Sequence, residues 1–319
     1  MAYMTALRVE RAEQIAAGIH LFELRDPDGR ELPEFNAGSH IAIVVPTGDV
    51  RKYSLCNDPC ERDRYVIAVK KEAAGRGGSI SLVDAVKAGD LVMSGTPENS
   101  FALDERAASF LFIAGGIGIT PIMAMIRHLK STGCGRFKLY YCTRNAHATA
   151  FLDELSAPAY RGQVTIHHDN GDPAQALDLW PLLERPAGAH LYCCGPRAMM
   201  EAVRDMTGHW SRSAVHFESF VDAAQTRTVE DHAFSVRLAR TGEVVEVPAN
   251  TSILEALRFS GHTVPSSCES GTCGTCKTRL VRGAADHRDL VLSEAERSEY
   301  IMVCVSRARS TEAELVIDR

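Results

Sequence analysis

The 319-residue sequence contains no apolar run of about 18 residues, the length that a membrane-spanning helix needs. Basic residues are not in excess either, because 35 Lys and Arg stand against 41 Asp and Glu, giving a formal net charge of −6. Nucleic acid is therefore not expected as a main partner. The opening Met1-Ala-Tyr-Met-Thr5 lacks the apolar core of a signal peptide, so we expect a cytoplasmic protein that does not enter the membrane.

Two metal-binding patterns are missing as well. Zinc sites often combine two paired C-x2-C units, and this chain has a single one. No C-x-H motif of a Rieske centre is present, so the chain is not expected to oxygenate a substrate itself.

Four cysteines near the C-terminus follow the C-x4-C-x2-C…C spacing of a plant-type 2Fe–2S cluster. They are Cys268, Cys273, Cys276 and Cys304. Gly271 and Gly274 permit the positive φ angles that such a tight loop needs. A disulfide network would fit an oxidising compartment, and inert buried cysteines would not gather in a polar, glycine-rich loop. The pattern therefore predicts a carrier of single electrons.

The other six cysteines have no ligand spacing, and we expect them to be small buried hydrophobic residues. They are Cys56, Cys60, Cys134, Cys142, Cys193 and Cys194.

Hydrophobic periodicity divides the chain into three parts. Up to about Asp104, short β-like runs separated by turns predict an antiparallel β-barrel, with strands at Ile41–Val45, Tyr65–Val69 and Leu91–Met93. From Phe110, strands alternate with helices such as Pro121–Lys130, which predicts an α/β domain with a parallel sheet. Its strands are expected at Phe110–Ala114, Lys138–Cys142, Val164–His168 and His190–Cys194. The pattern lapses around Asp222–Asp231, which we interpret as a linker.

The last part begins with a predicted hairpin of Phe234–Leu238 and Val244–Val247 around Thr241-Gly242. Ser252 and Glu255 form a capping-box pattern at the start of a short helix. With the cysteine loop, these elements indicate an α+β β-grasp ferredoxin domain. The predicted fold is multidomain: a β-barrel over 1–104, an α/β domain over 105–224 and a ferredoxin domain over 233–319.

Two glycine-containing turns follow predicted parallel strands. Gly115-Gly-Ile-Gly-Ile-Thr-Pro121 stands between a strand and a helix, where backbone N–H groups favour a pyrophosphate, although a tight packing turn is an alternative. Gly195-Pro196 follows the strand that ends at Cys194. Because ligands of open α/β sheets bind at the strand C-termini, both turns can face one crevice.

The barrel carries Arg51-Lys-Tyr53-Ser54, in which arginine can hold a phosphate and tyrosine can pack on a ring. Gly75-Arg-Gly-Gly-Ser79 has the composition of a phosphate-binding nest before a predicted helix, Ile80–Val86. An exposed basic strand and a flexible hairpin loop are the respective alternatives.

Taken together, these motifs resemble the phthalate dioxygenase reductase family, the FMN- and NADH-dependent reductases of Rieske-type aromatic oxygenases. The resemblance covers nearly the whole chain. It is carried by Arg51-x-Tyr53-Ser54, Gly75–Ser79, Gly115–Pro121, Cys194-Gly-Pro196, His216-Phe-Glu-Ser-Phe220 and the four cluster cysteines.

The resemblance implies a role for each matching residue. Arg51, Tyr53 and Ser54 should contact the flavin, with Tyr53 against the ring and Ser54 near N5. Gly77, Gly78 and Ser79 should hold the phosphate of FMN, which is favoured over FAD. Gly116, Gly118 and Thr120 should line the path of the nicotinamide and pyrophosphate of NADH.

For three further residues, the resemblance implies a role in the site, and each also has a purely structural alternative. Cys194 should lie beside the reacting nicotinamide carbon, unless it is only a buried thiol. Phe220 should cover the flavin face, unless it is a core aromatic. Asp169 should bind the adenosine ribose and disfavour NADP, unless it caps a turn. Ser54, Thr120, Cys194 and Phe220 are thus the residues expected nearest the chemistry.

The implied function is transfer of electrons from NADH through FMN and the 2Fe–2S cluster to a terminal Rieske-type oxygenase. A monomer would suffice, and Glu269, Ser270 and Thr272 of the cluster loop are the expected partner contacts. The alternatives are a reductase of small acceptors, such as quinones or ferric chelates, and a redox sensor or electron-carrying subunit.

Overall fold

A computed structural model describes residues 4–73, 77–220, 231–310 and 314–319. The chain divides into two compact units, Met1–His216 and Phe217–Arg319. None of the helices among the described residues has the length and apolar character needed to cross a membrane.

The first part is an antiparallel sheet with one helix. Its elements are β1 (Met4–Ala16), β2 (Ile19–Arg25), β3 (Ser39–Val44), β4 (Val50–Ser54), β5 (Tyr65–Lys70), α1 (Gly78–Ala85), β6 (Leu91–Gly95) and β7 (Glu98–Asn99). The strand order is β4-β3-β6-β1-β2-β5, with β7 on β3. A bridge between Leu55, just after β4, and Ile67 of β5 joins the two ends of this order. The sheet therefore closes on itself around an apolar core, and the antiparallel prediction is confirmed.

The second part is the predicted parallel sheet. Its strands are β8 (Ser109–Gly115), β9 (Arg136–Thr143), β10 (Val164–His168), β11 (His190–Cys194) and β12 (Val215–Glu218), in the order β10-β9-β8-β11-β12. Its helices are α2 (Ile119–Thr132), α3 (Leu152–Leu155), α4 (Trp180–Leu183) and α5 (Arg197–Met206). The β8, β9, β10 and β11 pairings are parallel, so their C-terminal ends share one edge.

The third part has the β-grasp arrangement. Its elements are β13 (Phe234–Leu238), β14 (Val244–Val247), α6 (Ile253–Phe259), β15 (Lys277–Arg282), β16 (Ala285–Asp286), α7 (Glu294–Arg297), β17 (Tyr300–Met302), β18 (Arg307–Ala308) and β19 (Leu315–Ile317). The main sheet runs β14-β13-β19-β15-β17, with β13 and β19 parallel. Ser252 and Glu255 form the predicted capping box of α6.

Several expectations need correction or fall outside the described residues. Helix α1 begins at Gly78 rather than residue 80, because Gly77 takes a left-handed φ of 80° and starts the helix earlier. Cys60 and Cys134 are exposed, so the expectation of buried thiols is wrong for these two. Gly75 and Arg76, and residues 222–230 of the predicted linker, lie outside the described residues.

A buried ionic network holds the start of the ferredoxin part. The carboxylate of Asp231 accepts two hydrogen bonds from Arg288, at 3.1 and 2.6 Å, and lies 3.7 Å from Arg307. The side chains of Asp231 and Arg307 are each only 4% exposed. Arg307 also donates to the carbonyls of Thr251 and His232. Residue 231 is therefore fixed to the body of its own unit.

Replacing Asp231 with Ala should destabilise the ferredoxin part by about 3 kcal/mol, because it removes the buried carboxylate that the buried Arg307 and the largely buried Arg288 share. Asp286→Ala is the matched control, since it removes a 43% exposed partner of Arg288 and should cost below about 1 kcal/mol. Loss of cluster absorbance in urea measures both. Equal midpoints for the two variants would contradict the assignment.

Candidate redox sites

The four predicted cluster cysteines converge in the structure. Their side chains form two hydrogen-bonded pairs, Cys268 with Cys273 and Cys276 with Cys304. The hydrogen bond between them lowers the pKa of Cys268 and raises the pKa of Cys273. In the same way, the hydrogen bond from Cys304 lowers the pKa of Cys276. Iron binds all four cysteines as thiolates, so the thiol proton of each pair is lost when a cluster is bound.

The loop that carries three of these cysteines relies on left-handed backbone. Gly271 and Gly274 have φ angles of 76° and 82°, as the sequence predicted, and Glu269 has a φ of 54°. A Cβ on Gly271 would lie 2.7 Å from Cγ2 of Val305 and 3.2 Å from Cα of Asp289. Glycine is therefore required there both for φ and for packing.

Asp289 and Leu290 contact the back of this loop, and neither was identified from the sequence. The buried Asp289 accepts hydrogen bonds from the amides of Val291 and Leu292, at 3.0 and 2.7 Å. The amide of Leu290, the residue directly after Asp289, donates to the carbonyl of Gly271 at 2.9 Å. An aspartate that bonds the amides two and three positions ahead has a recognisable turn signature, but its contact with the loop depends on tertiary structure.

Burial differs between the two cysteine pairs. Cys276 and Cys304 are buried, whereas Cys268 and Cys273 are partly exposed. Ser270 is 8% exposed, and its amide lies 3.5 Å from the sulfur of Cys268. The prediction that Ser270 is available to a partner is thus wrong. The exposed Thr275 has its hydroxyl 3.2 Å from the sulfur of Cys273.

This donor set fits a 2Fe–2S cluster. The four sulfurs lie in two pairs, an amide and a hydroxyl lie beside the outer sulfurs, and an apolar core packs around the buried pair. Such hydrogen bonds and burial are the features that tune an iron–sulfur potential.

The barrel brings Arg51 and Gly78 into direct contact. A Cβ on Gly78 would lie 2.8 Å from Nε of Arg51, so only glycine leaves space for this side chain. Arg51 Nη2 donates to Asp49 at 3.0 Å. Gly78 is the first residue of α1, where backbone N–H groups are free to bind an anion. A guanidinium at a glycine-started helix fits the phosphate of a flavin mononucleotide.

Neighbouring residues complete this region of the barrel. The hydroxyl of Ser79 accepts from the amide of Glu72 at 3.0 Å, which ties α1 to the end of β5. Tyr53 pairs with Ile41 across the sheet and is partly buried. Burial raises its pKa to about 12, so its phenol stays neutral at physiological pH. Ser54, the last residue of β4, is buried and pairs with His40.

The two glycine-containing turns of the parallel sheet touch each other. A Cβ on Gly118 would lie 2.2 Å from the carbonyl oxygen of Cys194, and one on Gly115 would lie 2.4 Å from Cδ of Pro196. The ends of β8 and β11 therefore meet at the same edge of the sheet. Gly118 therefore allows the two turns to pack closely, which is the alternative to pyrophosphate binding that the sequence left open for this motif.

The other residues predicted for this crevice differ from one another in burial and in hydrogen bonding. Thr120 is buried and its hydroxyl donates to the carbonyl of Ile117 at 3.0 Å. Gly116 has a φ of 53° and its carbonyl accepts from Tyr141 at 3.1 Å. Apart from its chain neighbours, no described residue comes within 4 Å of the Cβ position of Gly116, so there is open space beside it. The thiol of Cys194 is buried.

Asp169 and Phe220 were predicted with structural alternatives, and the structure bears on both alternatives. Oδ1 of Asp169 accepts from the amide of Gly171 at 2.8 Å, so the turn-capping alternative is present. Its other oxygen is not used in that bond. Phe220 is 45% exposed, which argues against a core aromatic.

His216, in the motif that leads to Phe220, is held in a largely buried position. Burial lowers the pKa of His216 to about 4, and its ring stacks on that of Tyr192, with 4.3 Å between the ring centres.

Comparison with known proteins identifies the modules. Residues 112–205 match an oxidoreductase NAD-binding domain, and residues 236–309 match a 2Fe-2S iron-sulfur cluster binding domain. The chain is 55% identical to phthalate dioxygenase reductase of Burkholderia cepacia, over 98% of this chain and 96% of that one. It belongs to the phthalate dioxygenase reductase family.

Two further similarities agree with this assignment. The reductase subunit of phthalate 4,5-dioxygenase from Pseudomonas putida is 55% identical, over 96% of this chain and 94% of that protein. The solved structure of a phthalate dioxygenase reductase, described as modular for electron transfer from pyridine nucleotides to [2Fe-2S], is 54% identical with a TM-score of 0.73. The match covers 99% of this chain and 98% of that one.

As a member of this family, the chain is an NADH-dependent oxidoreductase that uses FMN and a 2Fe–2S cluster and serves an oxygenase. The expected fold class, with a flavin domain, a nucleotide domain and a ferredoxin domain, is confirmed.

Replacing Gly118 with Ala should slow reduction of the flavin by NADH at least about tenfold, because a Cβ 2.2 Å from the Cys194 carbonyl must push the two turns apart. Stopped-flow absorbance of the flavin measures this rate. Gly208→Ala is the control, since its nearest neighbour is 3.8 Å away. A normal rate in a folded Gly118→Ala protein would show that the contact is dispensable.

Proposed function

We propose that the oxygenase served by this chain is a terminal Rieske-type, aromatic-ring oxygenase, and that the reductase acts as a monomer in the cytoplasm. The main support is the family membership, together with cluster sulfurs of which two are partly exposed. An electron acceptor must approach such an outer edge closely. Light scattering of the purified holoenzyme measures its molar mass and so tests whether it is a monomer.

We propose the following division of the chain. Residues 1–104 bind FMN, residues 105–224 bind NADH and residues 233–319 hold the cluster. The two family matches, at 112–205 and 236–309, fall within the second and third of these ranges. The contact of Arg51 with Gly78 supports the first.

FMN, when bound, would supply two-electron acceptance from NADH and one-electron release, and the residues of this chain would bind and orient the cofactors and exclude water. Arg51, Gly77, Gly78 and Ser79 hold the phosphate, Tyr53 packs on the ring and Ser54 faces N5. Gly116, Gly118, Thr120 and Cys194 form the nicotinamide crevice, and Asp169 receives the ribose. Phe220 covers the flavin face until nicotinamide enters. No proton-transfer residue is required.

The oxygenase docks over the outer edge of the cluster, and we propose Phe259 as its apolar anchor. Phe259 is the last residue of α6 and is 87% exposed. Its neighbour Arg258 donates to Glu269 at 2.8 Å, which places this end of α6 beside the cluster loop. A large aromatic left in water next to a redox centre is the kind of residue that anchors protein interfaces.

Cys273→Ser tests the order of the electron carriers. The variant should reduce its flavin with NADH at the normal rate but lose the native cluster spectrum and deliver no electrons to a purified Rieske-type oxygenase. Cys134→Ser, at an exposed cysteine outside the cluster loop, should behave as the natural protein. Sequential bleaching of flavin and cluster in stopped flow provides the reference.

Two results would overturn the proposal. Failure of flavin reduction in a folded Cys273→Ser protein would mean that the order is wrong. Rapid reduction of quinone or ferric chelate by the natural protein, with no transfer to any oxygenase tested, would favour a reductase of small acceptors.

Phe259→Ala should raise the KM for the oxygenase about tenfold, while NADH still reduces flavin and cluster at normal rates. Leu91→Ala is the control, because Leu91 is a 62% exposed apolar residue on β6 in the other unit. Steady-state assays at varied oxygenase concentration measure both. A changed rate of internal cluster reduction would instead assign Phe259 to contacts within this chain.

A further inference from the structure

A group of metal-ligating side chains lies away from the redox sites. Asp58 and Cys60 stand in the loop after β4, and His128 lies on α2. One ligand atom of each, a carboxylate oxygen, the sulfur and a ring nitrogen, lies within 4.8 Å of the others. The redox chemistry uses none of them.

The surroundings of His128 indicate a metal rather than a chance contact. Its Nε2 lies 3.0 Å from a carboxylate oxygen of Glu105. Its Nδ1 is buried and has no hydrogen-bond partner among the residues that the structure describes. A histidine that donates one ring N–H to a carboxylate while the other nitrogen presents its lone pair is the usual arrangement of a metal ligand.

The two segments are held together by other residues. Arg127, next to His128, donates to the carbonyl of Cys56 and to the carboxylate of Glu154. Within the loop, the amide of Cys60 donates to Oδ1 of Asp58 at 3.0 Å. The three ligand atoms are therefore brought together before any ion binds, which lowers the entropy cost of forming the site.

We propose that Asp58, Cys60 and His128 bind one Zn²⁺ ion, with water in the fourth position and Glu105 orienting His128. One sulfur, one nitrogen and one oxygen suit zinc, whereas calcium and magnesium require oxygen ligands. Bond lengths of about 2.0–2.3 Å place tetrahedral ligand atoms roughly 3.6 Å apart, so atoms that lie within 4.8 Å of one another need to move together by about 1 Å at most. Zinc displaces the thiol proton of Cys60 to solvent and replaces the interaction of this thiol with Asp58.

Zinc at this position would join two elements that carry the redox site. The loop with Cys60 begins after Ser54, the end of β4, and α2 begins beside the glycine turn at Gly118. The ion would act as a clamp between the barrel and the nucleotide-binding sheet, both of which belong to one compact unit.

The experiment uses the holoenzyme, with its cluster absorbance recorded throughout so that zinc at the cluster cysteines is detected. Competition with a chromophoric chelator should give one bound Zn²⁺ per chain for the natural protein. Cys60→Ser and His128→Gln should each weaken binding at least about tenfold, and Glu105→Gln by about 10–100-fold. Cys134→Ser, the matched exposed cysteine, should bind as the natural protein does.

Cadmium-113 NMR supplies the second measurement, because the chemical shift of the ion reports a thiolate ligand. One resonance should be present in the natural protein and absent in Cys60→Ser. Flavin reduction by NADH in each variant verifies folding. Absence of a stoichiometric zinc ion in the natural protein, or equal affinity in Cys60→Ser, would overturn the proposal.

Discussion

The approach of the four cluster cysteines as two neighbouring pairs is the constraint that organises the ferredoxin part. Three of them come from a single loop, which turns back on itself through left-handed backbone at Glu269, Gly271 and Gly274. The segment around Asp289 and the side chain of Val305 fill the space behind Gly271. The inner cysteines are buried and the outer ones are partly exposed, so only one edge of the cluster site is accessible within this unit.

The nucleotide region depends on similarly close backbone packing. The turns after β8 and β11 approach so closely that neither Gly115 nor Gly118 could carry a side chain without displacing its neighbour. Gly116, between them, has open space around it. Three glycines in one motif therefore serve two purposes: two allow the strand ends to meet, and the third leaves room for a ligand.

Local patterns in the sequence predicted much of the fold. The strands Val164–His168, His190–Cys194, Phe234–Leu238 and Val244–Val247 have the predicted limits, because each is bounded by strong turn signals. The capping box at Ser252 and the positive φ of Gly271 follow from residue type alone. The four cysteines predicted as cluster ligands come together in two pairs, and their spacing along the chain was the basis of that prediction.

Contacts between distant segments were not predictable in this way. The packing of Gly118 on Cys194 and of Gly78 on Arg51 depends on how strands are arranged in three dimensions. Cys60 and His128 are 68 residues apart, and no spacing rule relates them (128 − 60). The roles of individual flavin- and nucleotide-binding residues remain predictions because they concern ligands rather than the chain.

The partial exposure of Cys268 and Cys273 has a consequence for the cell. An edge that admits a protein partner also admits dioxygen, which is small and takes single electrons. A reductase waiting for its oxygenase is therefore expected to leak reducing equivalents and form superoxide. Close docking would then limit this loss as well as speed delivery, so the supply of partner determines how much NADH is wasted.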